Sequence, residues 1–405
     1  MASELDILIR GCRLRNRPGE TVDIGIGEGR IQAISSELDN TAVTTIEAQG
    51  NLATESFVNP HLHLDKVFTL TMLDDAAMLD YHGDSMGKAM TAIERASKVK
   101  ENYEQDWILE NVRTALRWAA QNGNTHIRAF ADVDSKAKLE GVKALIQARQ
   151  EFKGKVELQV VAFPQDGVVR EPGAAQLIRE AMELGADLVG GIPWIEYSDE
   201  DAKGHIDQMF AIAVEFEAGV SMLVDDAGDP GLRTLEMMAL KTLETGLQGR
   251  VLAHHARAMA LYPKPYFQKL AALLQNAQIA VVSDPHTGPL HARVTELRQE
   301  NVLVCLGQDD ISDAYYPYGQ NNMLEVAFLA SHLLWMTTRE DMEVLYDMVT
   351  INAATAMGIE QHSLEVGSPA NLVVLRQPDV LGALRFHQPP MAVISGGALL
   401  EDSSE

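Results

Sequence analysis

Cysteine is almost absent from this chain. Only Cys12 and Cys305 occur, too few for a disulfide framework or a cysteine-ligated metal cage. Cys305 lies in the apolar run "NVLVCLG" (301–307), where packing is its expected role. Basic charge is also scarce, since 33 Lys and Arg face 58 Asp and Glu, for a formal net charge of -25. Such a balance argues against a surface that binds phosphate backbones, so no nucleic-acid partner is expected and a neutral or cationic small molecule is the easier ligand. No run of about 18 apolar residues is present. The opening "MASELDILIRG" carries two acids where a signal peptide would be uninterruptedly apolar. A cytoplasmic protein without membrane contact is the expectation.

What is present is a chain of 405 residues with 46% hydrophobic content, longer than the roughly 250 residues typical of one barrel. Its start reads as short strands: "LDILIRGCRLR", then "TVDIGIGEGRIQAIS" with a tight turn at "GEG", then "TTIEAQGNLATE". These predict a small antiparallel β unit. Gly25, Gly27 and Gly29 alternate there without the helix that a dinucleotide cradle requires, so they belong to the hairpin. After residue 56 short apolar runs alternate with amphipathic segments, the pattern of βα units around a parallel sheet. The runs fall at 56–64, 125–133, 156–163, 187–193, 219–224, 250–255, 279–285 and 301–307. They predict an α/β fold, a (β/α)8 TIM-like barrel whose first connection is the long 65–124 stretch. "GSPANLVVLRQ" and "PPMAVISGGALL" are strand-like again. The expected division is 57–361 as the barrel, with 1–56 plus 362–405 forming a small β-sandwich from both chain ends.

Barrels gather functional groups at the carboxyl ends of their strands. Here those ends carry His61 and His63, Gln165, Asp225 and Asp226, His254 and His255, Asp284 and His286, and Asp309 and Asp310. Side chains at i and i+2 of a strand share a face, so His61 and His63 can offer two imidazoles to one ion. Asp309 closes the eighth strand, which neighbours the first once the barrel closes. A divalent cation held by nitrogen and oxygen donors with one position open lowers the pKa of its water from about 15.7 to about 7, and Asp309 is placed to take the proton. His254 alternates with His255 and is expected to point into the helix layer. His286 is open between pocket and loop, Asp225 between pocket and helix cap, and Lys66, which could pair with an acid, is left unassigned. Trp194 at the fourth strand's mouth is a candidate pocket wall. "GDSMG" at 83–87 fits Gly-x-Ser-x-Gly, but no strand precedes it, so flanking glycines of a mobile loop explain it better than a nucleophilic Ser85.

The strings "VNPHLHLDK", "VVAFPQDG", "LGADLVGGIP", "RVLAHHARAM", "GQDDISDAYYPYGQNNML", "TINAATAMGI" and "EVGSPANLVVL" occur in the order found in the amidohydrolase superfamily. Within it the chain resembles the cytosine deaminase branch, which includes N-isopropylammelide amidohydrolase. The resemblance implies a metal-dependent hydrolytic deaminase or amidohydrolase acting on a small nitrogen heterocycle, a cytosine-like pyrimidine first of all. It implies one divalent ion (zinc or iron, with manganese an alternative) on His61, His63 and Asp309, with Asp309 also accepting the water proton. His255 corresponds to a histidine that polarises the attacking hydroxide, and Asp226 to the acid that shuttles protons. Gln165 matches a glutamine that reads the amide-like edge of the ring. Asp310 follows the ligand aspartate as in the deaminases, and Tyr315 replaces an aromatic pocket wall. Relatives assemble, so a homo-oligomer is implied.

Two departures from the pattern bear on function. The family's fifth strand ends in a metal-binding histidine where this chain has Leu223, and an Arg-x-His string of the second strand ends in Phe130. Neither side chain donates a lone pair. Other donors among Asp225, Asp226, His255 and His286 can complete the set, or the ion is held weakly. The alternative is a heterocycle-binding homologue that has lost turnover.

Overall fold

The computed structural model describes residues 4–72 and 97–400. The Ser85 motif lies outside these residues. Sixteen strands are described: β1 (Leu5–Cys12), β2 (Val22–Gly27), β3 (Arg30–Ser35), β4 (Ala42–Glu47), β5 (Ala53–Glu55), β6 (Phe57–Leu62), β7 (Asn124–Asp132), β8 (Glu157–Phe163), β9 (Leu188–Gly191), β10 (Gly219–Val224), β11 (Val251–His255), β12 (Ala280–Ser283), β13 (Val304–Leu306), β14 (Leu372–Val374), β15 (Ala392–Ser395) and β16 (Ala398–Leu399).

Strands β6 to β13 form one parallel sheet in chain order, and a parallel bridge between Leu62 and Asp309 joins its two edges into a barrel. The eight runs read from the sequence are these strands. They are short and buried on both faces, which is why they read as apolar runs and not as alternating ones. Among the described residues helices follow the strands around the outside, Gln105–Gln121 after β6 and Met323–Leu333 after β13 among them. The helix Gln105–Gln121 buries Ile108, Val112, Ala115, Leu116 and Ala119, the i, i+4, i+7, i+8 stripe of a helix packed on a sheet.

Both chain ends meet in two further sheets, ordered β3-β2-β1-β4 and β16-β15-β14-β5. Ile7, Ile9, Ile24 and Ile26 pack against Leu372, Val374 and Ile394 between them, the sandwich expected from sequence. In the β2–β3 hairpin Glu28 and Gly29 have φ of 53° and 73°, the two positive values of a turn whose twist suits paired strands. One expectation is corrected. The N-terminal sheet is not wholly antiparallel, because β4 pairs with β1 in parallel, Ile7 opposite Thr44 and Ile9 opposite Ile46. The chain between β3 and β4 crosses to the far edge of β1 instead of turning back beside β3. Among the described residues no helix is long and apolar enough to cross a membrane.

Candidate metal centre and active site

Barrel closure itself assembles the centre. Asp309 N donates to His61 O at 2.9 Å and His63 N donates to Asp309 O at 2.8 Å. The Asn59 side chain accepts from His61 N at 3.2 Å and from Gln308 N at 3.1 Å. The backbone that joins the last strand to the first therefore fixes two histidines and one aspartate together. Close packing leaves no room for a side chain at Gly307, where a Cβ would run into Asp284 and the Cβ of His61.

Three imidazoles converge on one oxygen. Asp309 Oδ1 lies 2.9 Å from His61 Nε2, 3.8 Å from His63 Nε2 and 3.8 Å from His255 Nε2. His61, His255 and Asp309 each offer a donor atom within 4.8 Å of the others, and His63, Asp309 and Asp310 form a second such trio. Burial holds His63 and His255 well below the usual imidazole range. Burial pushes the Asp309 carboxyl up, but the imidazoles of His255, His61 and His63 outweigh it and hold the group well below the usual range. Asp284 and Asp310 go the other way, raised by burial and by the charge of Asp309. Among the described residues, His63 Nδ1, Asp284 Oδ1 and Asp310 Oδ1 are buried without hydrogen-bond partners, and His255 Nδ1 stands 3.3 Å from Asp284 Oδ2. A divalent cation fits this set. Its donors are imidazole nitrogens and carboxylate oxygens.

The ambiguous strand-end residues separate clearly. Asp225 is a cap: Oδ1 accepts from Thr234 N at 2.7 Å and from Leu235 N at 3.3 Å, at the start of helix Thr234–Thr245. Tyr262 donates to its other oxygen at 2.5 Å. Asp226 turns toward the centre, and Arg257 Nη1 donates to its Oδ1 at 2.7 Å. The same guanidinium reaches Thr287 Oγ1 and stands 3.7 Å from Asp309 Oδ2. Burial pushes the Asp226 carboxyl up to about 7, against the pull of Arg257. His286 serves the rim, its Nε2 meeting Gln308 O at 3.0 Å.

His254 corrects the sequence reading. It faces the centre and not the helix layer, with its Nδ1 2.8 Å from His61 Nδ1. Strict alternation fails because His255 and Ala256 take left-handed φ values of 68° and 48°, which rotates His255 back to the side that His254 already faces. Asp225 and Asp309 carry the same device, with φ of 48° and 64°. Strained backbone of this kind persists where surrounding structure over-determines it.

Gln165 and Lys66 form a neighbouring polar group. Lys66 Nζ donates to Gln165 Oε1 at 2.9 Å and to both oxygens of Asp132 at 3.0 and 3.1 Å. Lys100 Nζ donates to Asp134 at 2.6 Å and to Asp166 at 2.7 Å. An oxygen is the end of an amide that faces an ammonium, so the NH2 of Gln165 is the end left for other contacts. Tyr315 lies beneath Lys66, whose Nζ is 5.6 Å from the ring centroid. Trp194 is half-buried at the edge of an apolar cluster of Phe130, Phe163, Ile192, Leu223 and Tyr315. That cluster abuts the imidazoles, since the Phe130 centroid is 4.5 Å from that of His61 and 5.4 Å from that of His63. Arg257 and Lys100 were missed from sequence. The signal for Arg257 was a cation two residues beyond His255 at a strand end. Lys100 gave none, being brought in from the long first connection.

Residues 44–399 match the amidohydrolase family. Over 403 residues the chain is 30% identical to the N-isopropylammelide isopropyl amidohydrolase of Pseudomonas sp. (strain ADP), covering 99% of this chain and 98% of that protein. Among solved structures, the 5-methylcytosine deaminase of Klebsiella pneumoniae liganded with 5-fluorocytosine superposes with a TM-score of 0.89 at 28% identity, covering 97% of each chain. The N-isopropylammelide isopropylaminohydrolase of Burkholderia multivorans gives 0.85 at 27% identity, again covering 97% of each. A barrel whose closing strands bring two histidines to one aspartate is thus matched along nearly all of its length, and the chain belongs to the amidohydrolase family.

Proposed function

We propose that this protein is a metal-dependent hydrolase of C–N bonds in small planar nitrogen heterocycles, with a cytosine-like pyrimidine as the first substrate to try. The observation that carries the reading is the convergence of His61, His63 and His255 on Asp309 Oδ1. The relatives named above act on rings of this class by their names, which supports the choice of substrate.

His61, His63 and Asp309 would hold the ion, with His255 filling the position that Leu223 leaves without a donor. An ion held there, zinc or iron, would lower the pKa of water and so favour its attack at neutral pH. Asp309 accepts the water proton. Asp226 passes a proton to the departing amine, and its bond to Arg257 keeps it aimed at the reacting carbon. Gln165 presents N–H donors to a ring acceptor because Lys66 already binds its oxygen. Asp310 borders the ring, while Tyr315 and Trp194 wall it. Cytoplasmic location and self-assembly belong to this reading as well.

The test is amine or ammonia release from a panel of pyrimidines and triazines, with and without chelator. Release that chelator abolishes and added zinc, iron or manganese restores supports the reading, and no release with any metal sinks it. One observation favours a second reading, a binder without turnover: Leu223 and Phe130 place apolar groups directly beside the imidazoles, where a cation is disfavoured. Tight pyrimidine binding without turnover at saturating metal would select it.

A further inference from the structure

The contact between His254 and His61 carries an inference that rests on the metal reading above. His61 is engaged at both ring nitrogens: Nε2 lies 2.9 Å from Asp309 Oδ1, and Nδ1 lies 2.8 Å from His254 Nδ1. Both rings are fully buried. A contact of that length between two imidazole nitrogens contains one proton, on one ring or the other.

We infer that His254 is a positioning residue that sets the tautomer of His61 and thereby its capacity to hold a cation. Two arrangements satisfy the contact. In the first, His61 carries its proton on Nε2 and donates to Asp309, while His254 Nδ1–H donates to His61 Nδ1. In the second, His61 Nε2 is bare, its proton sits on Nδ1 and is donated to His254 Nδ1, and the proton of His254 sits on its own Nε2. Only the second offers a lone pair to an ion. Each arrangement contains two ring protons, so passing from one to the other exchanges protons with water and changes no net charge.

His254 is suited to this because it can serve as donor or acceptor. Phe130, whose ring centroid lies 4.5 Å from that of His61, can be neither, and the rings of His255 and His63 meet His61 edge-on without a hydrogen bond to its Nδ1. Ligating histidines commonly give their second N–H to a carboxylate, a carbonyl or a water. An imidazole takes that place here. His254 Nε2 is buried with no hydrogen-bond partner among the described residues, so the arrangement that admits the ion leaves a buried N–H without an acceptor among them.

Long-range 1H–15N spectra of histidine-labelled wild-type protein, metal-free and zinc-loaded, read the tautomers directly. The expected result is Nε2–H on His61 without metal, and Nδ1–H on His61 with Nε2–H on His254 once zinc is bound. In parallel, zinc affinity is measured by chelator competition for the variants His254→Asn and His254→Leu, with circular dichroism as the check on folding. Asparagine can accept from His61 Nδ1–H and should bind zinc within a few-fold of wild type. Leucine cannot, and should bind about 10–100-fold more weakly. A leucine variant that matches wild type, or zinc-loaded protein lacking a proton on His61 Nδ1, overturns the inference while leaving the metal reading in place. Wild-type protein that takes up no zinc overturns both.

Discussion

Arg257 donates to Asp226 at 2.7 Å in a site where both side chains are at most a tenth exposed. Breaking a buried pair from one side leaves a charge without compensation, at about 3–5 kcal/mol, whereas removing both partners often costs far less. Arg257→Met is therefore expected to lose about 3–5 kcal/mol in urea unfolding. Adding Asp226→Asn to it should recover part of that loss, so the double variant falls well short of the sum of the singles. Additive losses would mean that the two groups do not act as a pair.

Leu223→His places an imidazole in the apolar cluster around Phe130 and Phe163. Without metal it should destabilise the protein by about 1–3 kcal/mol, the cost of a buried polar group lacking a partner. With zinc present the ranking should reverse, because a donor added at that strand end tightens binding to the folded state alone. Thermal melting in chelator and in excess zinc measures both. A variant that gains nothing from zinc beyond wild type would place Leu223 away from the ion.

Glu196 and His205 bear on acid stability. Glu196 accepts from Val168 N at 2.7 Å, Arg170 N at 2.9 Å and His205 Nδ1 at 2.8 Å, while His205 Nε2 accepts from Ile192 N at 3.1 Å. Burial raises the Glu196 carboxyl, yet the bonds from His205 and the backbone amides hold it below its usual range. Burial lowers His205 despite Glu196. Both groups are held below their ordinary values of 4.5 and 6.5 in the folded protein, so in both cases the unfolded chain binds protons first as pH falls. The His205 contribution is lost progressively below about 6.5 and that of Glu196 below about 4.5. Glu196→Gln should cost about 1–3 kcal/mol at pH 7, and its deficit relative to wild type should shrink as the pH falls below about 4.5. Urea unfolding across pH checks this. A deficit that grows in acid contradicts the assignment.

The barrel was legible because strands buried on both faces leave short apolar runs, and because such folds place their chemistry at strand ends. His61, His63 and Asp309 could be brought together from strand order alone, since closure makes the first and last strands neighbours. His254 could not be placed, because the left-handed turn at His255 defeats alternation and no residue there announces it as a glycine would. The choice between Asp225 and Asp226 needed Thr234, nine residues on, whose amide and hydroxyl both select Asp225. Lys100 belongs to a segment, Ser97–Asn102, whose approach depends on the path of the long first connection. The parallel pairing of β4 depends on which free edge of β1 a six-residue link reaches, and side-chain pattern does not encode that.

In the proposed centre one cation sits among the Nε2 atoms of His61, His63 and His255 and the carboxylate of Asp309. Crystals of the protein as purified, with diffraction recorded on both sides of the zinc and iron absorption edges, test it most directly. A single strong anomalous peak is expected at that point, touching all four side chains. No peak there after soaking in zinc, iron and manganese, or a peak that His255 does not touch, contradicts it.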